Sequence, residues 1–210
     1  MTSFEHAMLG INGVLASGLH HRHGWQLAAV AAVAAVAPDW DGLPILVSVS
    51  LFNESHRVWG HNLFSCLVLG LVIGYFDYRW DFVTRAARRF SRLVRLTIPA
   101  AALTLRDQFT LKGLRIWLFT ATLAALSQLP ADLVVSGTAT LGDWKLKLFW
   151  PLSDRGYVFP LVRWGDAVIS VVFVVGMFAM LRWQAIRQHI ACFTLAGVLA
   201  YLAVRGVIGY

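Results

Sequence analysis

Residues 114–135 read LRIWLFTATLAALSQLPADLVV, a run of 22 positions interrupted by one arginine near its start and one aspartate near its end. An apolar run of about 20 residues is the length a helix needs to cross a bilayer core of ~30 Å. Gln128 and Asp132 are four apart and fall on one face of such a helix, with Pro130 between them freeing a backbone carbonyl. A carboxylate in an apolar segment is expensive unless it has partners, so Asp132 marks a functional position. This one stretch predicts both a membrane helix and a polar site near its end.

Other apolar stretches cover 4–17, 25–37, 61–76, 166–181 and 190–210. Several are shorter than a straight span requires, so the first two are expected to form a partly buried hairpin or to extend into their flanks. Across the 210 residues, 58% are hydrophobic and 14% charged, and the mean hydropathy is +0.65. That balance excludes an ordinary soluble domain, in which roughly a quarter of residues are charged. The fold class is therefore all-α: a polytopic membrane bundle of about five to six helices, expected as a single domain over 1–210. No secretory signal, linker or repeat is evident, and no motif sets an oligomeric state. Cys66 and Cys192 lie far apart in apolar runs without a CxxC spacing, and read as small buried hydrophobes.

Between the third and fourth apolar stretches, Arg79, Arg85, Arg88, Arg89, Arg92 and Arg95 interleave with Phe82, Val83, Ala86, Phe90, Leu93 and Val94. Mostly helical spacing makes this a basic amphipathic helix on an anionic leaflet, with membrane lipids rather than nucleic acid as its partner. Positive charge stays on the cytoplasmic side, which places 77–115 inside. Alternation then puts 12 of the 18 Lys and Arg inside. Under that topology His6, Asp39, Asp41, His56, His61 and Asp132 all reach the opposite, outer face.

Pro38-Asp39-Trp40-Asp41 follows the second apolar stretch. Proline ends that helix, so the two aspartates are expected in an irregular turn where both can reach a cation. His56 and His61 lie five apart, about 140° around a helix, and cannot share a regular helical face. If Gly60 opens the third helix, His56 comes from the loop and His61 from the first turn. Two carboxylates and two imidazoles at one membrane mouth are a ligand set for a divalent metal, zinc first and manganese second. His20, His21 and His23 map to the other side and read as a solvated inner turn. Gly70 and Gly74 form a GxxxG that permits close helix packing.

These motifs resemble the YdjM-type family of membrane-bound metal-dependent hydrolases. The resemblance rests on His6, Pro38 to Asp41, His56-Arg57-Val58-Trp59-Gly60-His61-Asn62, Gln128 to Asp132 and Trp150-Pro151-Leu152-Ser153, and covers roughly residues 4–155. Gln128 stands where the family pattern has a histidine, and a neutral amide is the poorer ligand. The family is distantly similar to zinc-dependent phospholipase C, which implies hydrolysis of a phosphoester, in a small molecule or a lipid, at the outer face of a bacterial-type inner membrane. The resemblance also implies metal ligands at His6, Asp39, Asp41, His56, His61, Gln128 and Asp132, with Asp39 or Asp41 as an alternative base. Arg57 would steady an anionic group, helped by Lys145, Lys147 and Arg155. The alternative is a non-catalytic membrane scaffold or ion-binding protein with a degenerate site. A transporter would hold its ionisable residues at mid-membrane, and here they gather at one mouth.

Overall fold

The computed structural model describes residues 1–95, 97, 103–106, 108–137 and 144–208. Its helices are α1 (Ser3–Ala16), α2 (Leu19–His23), α3 (Trp25–Val36), α4 (Val49–Ser55), α5 (Leu63–Trp80), α6 (Phe82–Leu93), α7 (Leu111–Val134), α8 (Ala167–Arg182) and α9 (Arg187–Ile208). Each of the six apolar stretches is a helix: α1, α3, α5, α7, α8 and α9. The last two residues of the final stretch, 209 and 210, lie outside the described residues. A 3-10 helix, Ala37–Leu46, continues α3, so that Trp25–Leu46 joins α5, α7 and Gln184–Ile208 as the four segments long and apolar enough to cross a membrane among the described residues. Both expectations for the first two stretches are met, since α1 and α3 pack as a hairpin and α3 is lengthened by its flank.

Small residues let the helices approach. A Cβ at Gly70 would lie 2.4 Å from Thr122 Cα and one at Gly74 2.8 Å from the Trp117 carbonyl oxygen. The GxxxG therefore does what its spacing predicts, seating α5 against the backbone of α7, the most extensive helix pairing in the molecule. Gly10 plays the same part for α1, where a Cβ would stand 2.5 Å from the Ala31 carbonyl oxygen of α3. On α3, Ala28, Ala31, Ala34 and Ala35 are buried. Phe64, Leu71 and Phe76 of α5 and Val171, Val175 and Phe178 of α8 point outward. Apolar exposure on this scale suits a lipid surround rather than water. Cys66 is buried as expected, whereas Cys192 is exposed on α9, because its helix turns that face away from the bundle.

The predicted basic helix is α6. It presents Phe82, Phe90 and Leu93 outward beside a basic edge of Arg85, Arg89 and Arg92, while Thr84 and Ser91 face the protein. Arg79 belongs instead to the last turn of α5. The return from α6 is fastened by Arg106, whose guanidinium contacts Asp77 Oδ2 at 3.0 Å and Asp81 Oδ1 at 2.7 Å and lies over Trp117, 4.4 Å from the ring centroid. Trp117 Nε1 donates to Asp77 Oδ2 at 2.9 Å. This buried polar knot sits at the arginine-rich end of the bundle. His23 meets Trp117 edge-on at the same end, while His20 and His21 lie against each other, with ring centroids 3.9 Å apart, and His21 meets Gln188.

Two departures from expectation shape the other end. The chain after Val36 tightens into the 3-10 helix, with Pro38 near its start, instead of an irregular turn. Helix α5 starts at Leu63, not at Gly60, because Asn62 is its N-cap: its Oδ1 accepts from Ser65 N–H at 2.8 Å. His56 and His61 thus both lie outside regular helix. Gly60 has a different task, since a Cβ there would come within 1.9 Å of the Pro38 carbonyl oxygen.

Candidate metal centre

The two aspartates of the 3-10 helix bracket one imidazole. In a 3-10 helix residues two apart project about 240° from each other, so Asp39 and Asp41 reach His61 from different sides. Asp41 is fully buried and accepts from His61 Nδ1 at 2.9 Å, Gly60 N–H at 2.9 Å and His56 Nδ1 at 3.0 Å. A carboxylate can only accept, so both histidines carry a proton on Nδ1. The opposite nitrogen of His61 faces Asp39 Oδ1 at 3.3 Å and Asp132 Oδ2 at 3.4 Å. Gln128 Nε2 lies 2.9 Å from that nitrogen and donates to Asp39 Oδ1 at 2.6 Å. Asp39 also accepts from Ser3 Oγ at 2.7 Å.

Asp132 gathers the remaining groups: His6 Nε2 lies 3.2 Å from it, Arg57 Nη2 3.5 Å, and the Met1 amino group also meets it. All seven residues predicted as ligands therefore come together, from α1, the 3-10 helix, the α4–α5 loop and α7. His56 is the outermost, stacked on Phe52 with ring centroids 4.7 Å apart. Burial by itself would push the His61 imidazole down, but hydrogen bonds with Asp132, Asp39 and Asp41 outweigh it and hold its pKa well above the ordinary value.

Arg57 occupies the left-handed region at φ 64° and is 2% exposed. Its guanidinium donates to Ser136 Oγ and the Trp144 carbonyl, both at 2.8 Å, and lies 4.3 Å from the Trp144 ring centroid. Arg57 thus ties the α7–α8 segment to Asp132. Lys145, Lys147 and Arg155 do not line the site, and Lys147 pairs with Asp154 at the surface. The Trp150 to Ser153 motif does not line it either. Sequence reading missed Ser3, Trp144 and Trp164, which join Asp39, His56, Arg57, His61 and Asp132 around a cavity of about 430 Å³. Their one signal is that the α7–α8 segment carries tryptophans amid a polar, glycine-containing stretch.

Two ligand sets share His61. Asp41, His56 and His61 hold ligand atoms within 4.8 Å of one another and could hold a metal ion. A looser set is built on His61 Nε2 and Asp132: Asp39, Gln128 and Asp132 Oδ2 lie at the ring nitrogen, and His6 lies at Asp132 Oδ1. The fit of a metal to the looser set rests on buried atoms without hydrogen-bond partners, namely Nδ1 of His6 and Oε1 of Gln128, while His6 Nε2 has only the Asp132 carboxylate beside it. Such atoms are costly to bury unless something else completes them.

An all-helical membrane bundle with buried histidines and aspartates at one mouth defines the class as an integral membrane protein with a candidate metal site. The chain belongs to the YdjM inner membrane protein family, whose model matches residues 1–210. Comparison with curated proteins and with solved structures gave no match.

Proposed function

We propose that this protein is a membrane-bound metal-dependent hydrolase of phosphoesters, with its site at the non-cytoplasmic mouth of the bundle. The observation that carries the reading is the gathering of buried His6, His61, Gln128 and Asp132, with His6 Nδ1 and Gln128 Oε1 unpartnered, beside a cavity large enough for a small phosphoester. His6, Asp39, His61 and Asp132 would hold the ion, with Gln128 Oε1 as the weak fifth donor. Asp41 would act behind them, fixing the His61 ring. A mixed nitrogen and oxygen set suits zinc first and manganese second. When bound, the ion supplies a polarising charge for a phosphoryl oxygen and lowers the pKa of a water toward ~7.

The chain's own residues divide the other tasks. Asp39, with a side chain 21% exposed to the cavity, is the ligand nearest the substrate space and would accept a proton only in place of holding the ion. Arg57 balances Asp132 and turns a cationic edge toward an anionic substrate. Trp144 and Trp164, whose rings contact each other, wall the cavity and limit water. The outer orientation is supported by the arginines of α6 and by Arg22, Arg182 and Arg187, all at the opposite end.

The test is elemental analysis of the purified protein together with its hydrolysis of a phosphodiester panel before and after chelation. About one or more zinc or manganese per chain and chelator-sensitive cleavage support the reading. Metal without cleavage would favour the second reading, a metal-holding scaffold, for which the amide at Gln128 is the specific argument. No metal at all would overturn both.

A further inference from the structure

Helix α1 packs against both α7 and α9, while α7 and α9 have no comparable contact with each other. A trench therefore runs between α7 and α9 with α1 as its floor. It has two compartments, of about 280 and 430 Å³, that share Leu9, Ser127 and Leu195 as lining residues. One reaches the arginine-rich end at Ser17 and Leu19; the other reaches Met1, which also lines the metal-site cavity. On α7, Ala131 lines the trench and the next residue, Asp132, lines the site. Apart from Thr120 and two serines whose hydroxyls are bonded within their own chain turns, the lining is apolar.

The length is informative. From Thr120 to Val134 the wall rises about 21 Å at 1.5 Å per residue, which exceeds one leaflet of a ~30 Å hydrocarbon core. Gly13 sits in the floor, and a Cβ there would meet nothing within 4 Å. A glycine facing open space is not required by packing between helices; it leaves the trench wide. An apolar slot of one-leaflet length, bordered by membrane helices and opening beside a cavity that holds Arg57 and the candidate metal ligands Asp39, His56, His61 and Asp132, is complementary to a single molecule with an acyl chain and an anionic headgroup.

We propose that this trench binds an acyl chain of a phospholipid, so that the lipid's phosphoester lies in the metal-site cavity. The proposal rests on the hydrolase reading for its chemistry, but not for the binding itself. The tail enters laterally between α7 and α9, and the headgroup is read by Arg57 and the residues around His61.

The test uses the full-length protein in detergent and in nanodiscs. Native mass spectrometry with phosphatidylglycerol measures lipid retained per chain, for the wild type, Gly13→Trp, Leu195→Trp and, as an outward-facing control, Val204→Trp. Cleavage is measured as the rate on phosphatidylglycerol relative to the rate on glycerophosphoglycerol, which has the headgroup alone. The expected result is one retained lipid in the wild type and Val204→Trp. Retention and the cleavage ratio should both fall by at least about tenfold in Gly13→Trp and Leu195→Trp, the effect of losing roughly two buried methylenes. Two variants, one in the floor and one on a wall, guard against one that fails to fold. Equal retention in all four folded proteins would overturn the proposal. So would a dimer that the two trench variants dissociate, because the occupant would then be a second copy. Loss of retention in both trench variants with no diester cleaved by any protein would leave the trench standing and remove the hydrolase reading.

Discussion

Asp41 Oδ2 stands 2.9 Å behind His61 Nδ1, on the side of the ring away from Asp39 and Asp132. Carboxylates in this position set the tautomer and raise the basicity of a ligating histidine. Asp41→Asn should therefore weaken metal affinity by roughly 10–100-fold while leaving a saturable site. His61→Ala and Asp132→Asn should each abolish stoichiometric binding. Titration of the metal-free protein with zinc separates the cases. If Asp41→Asn abolishes binding and Asp132→Asn does not, the ion belongs instead to the compact set of Asp41, His56 and His61.

Gln128 offers the complementary gain. Gln128→His places an imidazole where Asp39 and His61 already converge, and should tighten zinc binding and raise any phosphodiester hydrolysis by about tenfold or more. Gln128→Leu should retain the ion at reduced affinity. Equal affinities in all three proteins would show that this side chain never reaches the metal.

The raised His61 pKa gives a pH signature. A raised folded pKa means the metal-free protein holds a proton there that the unfolded chain has lost, so this stabilisation is complete below about pH 6.5 and disappears as pH rises through the folded value. The melting temperature of metal-free protein should fall over that window, and that of metal-loaded protein should change less. Because metal must displace this proton, zinc affinity should increase with pH through the same window and binding should release about one proton. Calorimetry in two buffers of different ionisation enthalpy measures that release; zero release would contradict it.

Gly60→Ala tests positioning without touching a donor. The added methyl cannot coexist with the Pro38 carbonyl at its present place, so the 3-10 helix must shift, at a cost of about 1–3 kcal/mol. Metal affinity should drop although every ligand is present. Retained affinity with full stability would mean that the contact is slack.

At the opposite end, Asp77→Ala leaves Trp117 Nε1 without its acceptor and Arg106 with Asp81 as its remaining carboxylate. A buried donor left unsatisfied costs about 1–3 kcal/mol. The variant should be much less stable to heat, yet its folded fraction should bind zinc like the wild type. Altered metal affinity would reveal coupling between the two ends.

The six apolar helices and the basic α6 were legible because lipid imposes length and composition locally, residue by residue. The ligands were legible for the same reason, since an aspartate or histidine beside apolar sequence is conspicuous. Their division of labour was not. Asp39 and Asp41 look equivalent in a Pro-Asp-x-Asp string, and only the 3-10 geometry sends one to the cavity and the other behind His61. Arg57 reads as a free cation, but Ser136 and Trp144, 79 and 87 positions away, engage it across the fold. The Asp77–Arg106 knot escaped notice because Arg106 looked like one more inner positive charge. Contacts over such separations leave no periodicity to read.

The near contact of Gly60 with Pro38 also joins two segments that the chain delivers to the site separately. While the chain is threaded into the bilayer, His6, Asp39, His61 and Asp132 ride on separate segments, and no pair of them forms a chelate. Only when the α3 hairpin and α5 have docked does the imidazole meet its carboxylates, and α7 must then close the ring of donors. The candidate centre is thus complete only when four pieces of chain have found one another.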